Sequence, residues 1–170
     1  LDCKDRSIDA QQVLNQVQAA AEKYGLGFVV EYDVSGSNSS QGSVANEVLS
    51  DYNSKIKPYT TSSAYIHQGG KPVVMAFGIG YTTRALSATD AENLINQMKS
   101  AGAYFGIGTP TNWASLVSSN PTWAPVMKAA NLISPWTVGA YSQGGYPGYF
   151  TNTQKSDMQY VYSSVAAVAS

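Results

Sequence analysis

An α/β fold of parallel βαβ units is the architecture this sequence predicts, and three observations carry it. Amphipathic helical segments alternate with short apolar runs of strand length, in the order α-β-α-β-α-β-α-β-α. The strand starts lie roughly 30 to 45 residues apart, the spacing of right-handed crossovers. Most of the runs end in loops rich in glycine, hydroxyl and amide residues. With 170 residues the chain suits one domain over 1–170, able to bury roughly 70% of its unfolded surface. Two forms of the fold follow: a partial or reduced TIM-type (β/α) barrel, or a compact doubly wound sheet of four or five strands.

Asp9 and Gln12 form a capping-box pair that opens the first helix, Asp9 to Tyr24. Its apolar stripe is Val13, Val17, Ala20 and Tyr24, and Gly25 supplies the stop. The strand Phe28 to Asp33 comes next, followed by a polar loop from Gly36 to Gly42. Side-chain alternation puts Val29, Glu31 and Asp33 on one face of that strand. Two carboxylates on a strand buried on both sides require a polar cavity or a cationic partner. For Glu31, expected to lie deeper than Asp33, that partner is a lysine or Arg84.

A second helix is expected from Val44 to Ile56, with Val44, Val48, Tyr52 and Ile56 on one face and Pro58 beyond its end. Gly69-Gly70 then makes a turn into Val73-Val74-Met75-Ala76-Phe77, an interior parallel strand. Thr89 and Glu92 mark the cap of a third helix that runs through Leu94, Ile95 and Met98 to Gly102. Tyr104 to Ile107 is the next strand. Asn120-Pro121 caps a short helix through Ala130, Leu132-Ile133 is a brief fourth strand, and a last helix spans about Ser156 to Val168. That last helix carries Met158, Val161, Val165 and Val168 on one face. Phe77-Gly78-Ile79-Gly80 is echoed by Phe105-Gly106-Ile107-Gly108, as if at the same point of successive units.

Only 12% of residues are charged, against ~25% in typical soluble proteins, and hydroxyl, amide and tyrosine residues are plentiful. This composition points to a secreted protein, and the Asn38-Ser39-Ser40 sequon is compatible with export. A net charge of −1 with two arginines, Arg6 and Arg84, leaves no cationic footprint for nucleic acid. No run reaches the ~20 apolar residues of a membrane span. Cys3 is the single cysteine, so an internal disulfide is excluded, as are a thiolate metal cluster and a redox pair. The first residue is Leu1, which reads as the start of a processed or excised product.

Gly78 to Thr83 lacks the third glycine of a dinucleotide loop, and its helix starts too late to hold a pyrophosphate. His67 is the lone histidine, next to a turn, and reads as an exposed or locally bonded side chain. No cofactor and no metal are expected.

In parallel α/β folds ligands bind beyond the carboxyl ends of the strands. Those ends gather Asp33 with Ser35, then Tyr81, then Thr111, Asn112 and Trp113, then Trp136 and Tyr141. Flat aromatic rings can cover the apolar face of a pyranose while Asp and Asn bond its hydroxyls, so the partner this set predicts is carbohydrate. Trp123, inside a helix, reads instead as core. Glu31 and Asp33 also meet the distance range of a glycosidase acid/base pair, since residues i and i+2 of a strand have Cα atoms ~6.5 to 7 Å apart. Such pairs usually come from different strands, so Asp33 at the mouth is the stronger catalytic candidate.

Four strand-end motifs recur in one known family: Tyr32-Asp33-Val34-Ser35-Gly36, Gly70-Lys71-Pro72-Val73-Val74, Pro110-Thr111-Asn112-Trp113 and Ile133-Ser134-Pro135-Trp136-Thr137-Val138-Gly139. In this the chain resembles the secreted fungal and bacterial xylosidase/arabinosidase proteins related to glycoside hydrolase families 71 and 99. The resemblance implies a (β/α)8 barrel, a complete one taking ~250 residues or more, and this chain has about half the strands. The family's catalytic glutamates lie in an Asn-Glu-Trp-His-Glu type motif that has no counterpart here. Only Asp33 with its neighbours and Trp136 correspond to pocket positions. Glu31 stands where the family has an uncharged residue, and Ala140 where it has an arginine.

The expected function is therefore a secreted, glycoside-hydrolase-like protein that hydrolyses or binds a glycan. A non-catalytic glycan-binding or defence protein is the alternative, and a small secreted nuclease or toxin is a second one. A half-barrel with open strand edges is expected to form a homodimer or to be completed by another chain.

Overall fold

The computed structural model describes residues 10–36, 43–81 and 86–137. Over these the chain runs α1 (Ala10–Tyr24), β1 (Val30–Asp33), α2 (Ser43–Asp51), β2 (His67–Gln68), β3 (Lys71–Phe77), α3 (Ala88–Ser100), β4 (Tyr104–Pro110), α4 (Trp113–Ser119), α5 (Ala124–Ala129) and β5 (Leu132–Trp136). The fold is α/β, with a sheet of parallel strands in the order β1-β3-β4-β5 and β2 paired antiparallel to β3. The last helix expected from the sequence, Cys3, the sequon, Arg84 and Tyr141 lie outside the described residues.

The strand order advances in one direction, and the helices between the strands lie together. Val30 and Tyr32 of β1, Val74 and Ala76 of β3, and Phe105 and Ile107 of β4 share one core with Val48 of α2, Leu94 and Met98 of α3, and Val126 of α5. Those side chains alternate with the ones on the opposite face, as strand geometry requires. α2 packs against α3 and α3 against α5, so they form a single layer over one side of the sheet.

Local chemistry explains most boundaries. Gly69 and Gly70 both have positive φ, 56° and 75°, which lets the two-residue turn join β2 to β3 with the twist a tight hairpin needs. The stripe Val44, Val48, Tyr52 and Ile56, all at most 4% exposed, repeats every four residues, whereas an α-helix turns every ~3.6. The backbone resolves the mismatch by widening. Residues Tyr52–Ile56 form a π turn in which the Lys57 N–H bonds the Tyr52 carbonyl, and Lys57–Thr61 then tighten to a 3₁₀ turn with Pro58 near its start.

Four expectations need correction. α3 is capped by Ser87, not by the Thr89/Glu92 pair: Ser87 Oγ accepts from the Asp90 N–H and donates to the Asp90 carboxylate. The segment Trp113–Ser119 is a helix, α4, and the Asn120 cap opens a 3₁₀ turn, Pro121–Trp123, before α5. The glycine echo is offset, because Phe105 pairs with Val74, so Phe105 faces the helix layer while Phe77 faces away from it. The stripe Val13, Val17, Ala20 and Tyr24 of α1 is exposed; Leu14 and Ala21 are the side chains it buries.

Tyr65 ties β1 to β3. Its hydroxyl donates to the Val73 carbonyl at 2.9 Å and receives the Val30 N–H at 3.4 Å, while its ring meets Phe28 edge-on. Burial pushes the phenol up to about 12, from an ordinary value of 10.0. The neutral form is the one the fold prefers. Unfolded tyrosine ionises near pH 10 and the native residue does not, so this contribution to stability is complete below pH 10 and is lost as pH rises toward 12. Tyr65→Phe should cost about 1 to 3 kcal/mol at neutral pH, because two buried backbone groups lose a partner. It should also flatten that alkaline decline. Urea unfolding of both proteins from pH 8 to 12 checks the two effects together.

Candidate functional site

The site is built on the sheet face turned away from the helix layer. Strand pairing sets Asp33, Phe77, Gly108 and Ser134 side by side in one row across β1, β3, β4 and β5. At a strand spacing of ~4.8 Å the row spans about 14 Å. Below it lies a second row, Glu31, Met75, Gly106 and Leu132, and above it Pro110 pairs with Trp136.

Glu31 and Asp33 do share a face, but the expectation of a buried Glu31 does not hold. β1 is at one end of the strand order and its burial alternates, with Val30 and Tyr32 inside, Glu31 exposed and Asp33 half-buried. Because Glu31 is exposed, its charge requires no deep cavity. Asp33 Oδ1 accepts the Ser35 N–H at 2.8 Å, a local turn that fixes the carboxylate at the strand's end.

The two glycines of β4 shape the floor. A Cβ on Gly106 would meet the Met75 side chain, and one on Gly108 would lie 2.8 Å from the Phe77 ring. Without them, Met75 and Phe77 lie across β4. The Phe77 ring then packs between Tyr81, at 5.6 Å, and Trp136, at 5.3 Å between centroids. Trp136 is 52% exposed, so the cluster keeps an accessible aromatic surface.

The loops beyond the strands are held by backbone bonds. The N–H groups of Gly78 and Ile79 both donate to the Gly108 carbonyl at 3.1 Å, and the Val34 N–H donates to the Phe77 carbonyl at 3.0 Å. Thr111 Oγ1 donates to the Trp136 carbonyl, fastening the end of β4 to the end of β5. These bonds fix the strand ends relative to one another.

Of the residues singled out in the sequence, Asp33, Ser35, Tyr81, Thr111 and Trp136 stand at these carboxyl ends. Asn112 is there too, exposed, at the N-cap of α4 without a side-chain capping bond. Trp113 is the exception. It is 2% exposed and belongs to the core with Val117, because the first turn of α4 rolls its indole inward. Trp123 is also core, at 5% exposure. His67 is exposed, with Nδ1 2.9 Å from the Tyr65 carbonyl oxygen. Sequence reasoning did not select Phe77 or Ser134; the period-two alternation that set Asp33 outward would have found both once the strand register was known.

Among the described residues no group of three or more His, Cys, Asp or Glu side chains is placed to hold a metal ion. No described helix is long and apolar enough to cross a membrane.

Fold and site together define a parallel α/β protein with a carboxylate beside an aromatic cluster at the carboxyl ends of its strands. Compared with known proteins, the chain matches no family model, no curated protein and no solved structure.

Proposed function

We propose that this protein is a secreted carbohydrate-active α/β protein that takes a glycan across the carboxyl ends of its parallel strands. The observation that carries this reading is Phe77, which packs between Tyr81 and Trp136 in the same row as Asp33. Aromatic faces of this kind cover the C–H face of a sugar ring, and a half-buried carboxylate next to them can bond its hydroxyls. A row of ~14 Å is long enough for more than one sugar ring.

The sheet on this reading is an arc of a (β/α) barrel. Strands that advance in one direction with their helices on one side are how successive barrel units are laid down. The resemblance of four strand-end motifs to xylosidase/arabinosidase proteins related to glycoside hydrolase families 71 and 99 is what suggests such an arc. Asp33 is then the acid/base candidate for hydrolysis of a glycosidic bond, with Glu31 two residues away on the same face. A non-catalytic glycan-binding role is favoured by one specific feature: both carboxylates come from β1, so they stand on the same side of the aromatic row instead of flanking a bond.

Assaying the wild type and Asp33→Asn against a glycan panel, for binding and for released product, distinguishes these roles. The hydrolase role predicts product from the wild type and a fall of at least 100-fold in Asp33→Asn, with binding weakened much less. Binding without wild-type product would assign the non-catalytic role. A wild type that neither binds nor cleaves any glycan would end the proposal.

A further inference from the structure

The described basic side chains keep away from the carboxyl ends of the strands. Lys23, Lys55, Lys99 and Lys128 each stand in the last turn of a helical segment. A helix that feeds a parallel strand ends on the amino side of the sheet, so these cations collect there. Lys99 Nζ donates to the Ala129 carbonyl at 2.6 Å, which ties two such helix ends together. Lys57 is in the 3₁₀ turn that follows Lys55. Lys71 opens β3, about 20 Å from Phe77 at ~3.3 Å per residue, and His67 pairs with Pro72 at that same end.

The aromatic row, by contrast, holds a carboxylate. Asp33 is half-buried, its Oδ1 accepts the Ser35 N–H at 2.8 Å, and among the described residues no basic side chain forms an ion pair with it. Strand pairing sets it beside Phe77, which touches the exposed Trp136 in turn. A carboxylate against an apolar ring is less well solvated than one in open water, so a cation brought to it by a ligand gains more. Ring faces act in the same direction, because the π quadrupole attracts positive charge.

We propose that the glycan this site takes is an amino sugar with a free, protonated amine, its ring against Trp136 and Phe77 and its ammonium on Asp33. This rests on the glycan reading above, with Asp33 as the group that recognises the substrate. A neutral sugar offers Asp33 only hydroxyls, whereas an ammonium makes a charge-assisted bond about twice as strong. N-acetylation removes that charge. A uronic acid brings a second anion to a row that has no described cation to offset it.

The test is calorimetry on the full chain at about pH 6, where an amine keeps its proton. The probes are chitosan and chitin oligomers of equal length, which differ in N-acetylation, and an oligogalacturonate. Chitosan should bind about 10- to 100-fold more tightly than chitin, with the galacturonate weakest. Raising NaCl from ~0.05 to ~0.5 M should shrink the chitosan preference at least threefold, a readout that needs no substitution. Asp33→Asn keeps an oxygen for the Ser35 N–H and should bring the chitosan to chitin ratio to within about threefold of one, while Trp136→Ala should weaken both oligomers and keep the ratio. A wild type that binds chitin, galacturonate or a neutral glycan as tightly as chitosan would overturn the inference and leave the glycan reading standing. So would a preference that survives salt or Asp33→Asn. Binding of no glycan at all would overturn both.

Discussion

Gly78→Ala is expected to destabilise the protein by about 3 kcal/mol and to lower its urea midpoint by roughly 1 M or more. Two costs add. Gly78 has φ +108°, a conformation that costs an L-residue ~1 to 2 kcal/mol. A Cβ there would also lie 2.7 Å from the Ser35 backbone nitrogen and 2.9 Å from the Ser35 Cα. Those are backbone atoms, which cannot rotate away as a side chain does. The loop after β1 must shift, and with it the Asp33–Ser35 turn and the Val34 to Phe77 bond. Gly102→Ala is the control: φ is +97° but its Cβ would have nothing within 4 Å, so only the conformational cost applies. Equal losses in the two variants would show that the close approach of the strand-end loops contributes nothing.

The comparison of these glycines shows what a sequence can and cannot disclose. Gly69-Gly70 was legible as a turn because hairpin chemistry is local. The apolar run Val73–Phe77 was legible as an interior strand, and the four-residue step of Val44, Val48, Tyr52 and Ile56 already held the reason for a widened helical turn. Repeated glycines at Gly78, Gly106 and Gly108 suggest either a close backbone approach or strand-ending turns, and what they make room for (Ser35, Met75 and Phe77) is set by strand register. The same limit hid the row Asp33, Phe77, Gly108 and Ser134. Trp113 was misplaced for a related reason: a strand-end loop was expected where a helix starts, and the first turn of that helix turns the indole into the core. On α1 the stripe Val13, Val17, Ala20 and Tyr24 has the better helical spacing, but contact with Tyr59 and Ser62 decides the helix's orientation and buries Leu14 and Ala21 instead.

Trp136→Ala is expected to weaken glycan binding about 10- to 100-fold while changing stability little. Covering an exposed aromatic side chain contributes about 1.5 to 3 kcal/mol, which converts to that range of affinity. In the unliganded protein the ring is half exposed and touches Phe77 on one side, so removing it leaves no closed cavity. Isothermal calorimetry with a glycan that the wild type binds gives the affinity change, and urea unfolding gives the stability.

Tryptophan emission provides the most direct measurement of where a glycan sits, because Trp113 and Trp123 are buried in the core and Trp136 is the exposed indole. Titrating a bound oligosaccharide into the wild type should give a saturable emission change whose midpoint matches the calorimetric affinity. In Trp136→Ala that change should disappear. Calorimetric binding with no emission change in the wild type, or an unaltered response and affinity in Trp136→Ala, would place the glycan elsewhere and contradict a site at the carboxyl ends of the strands.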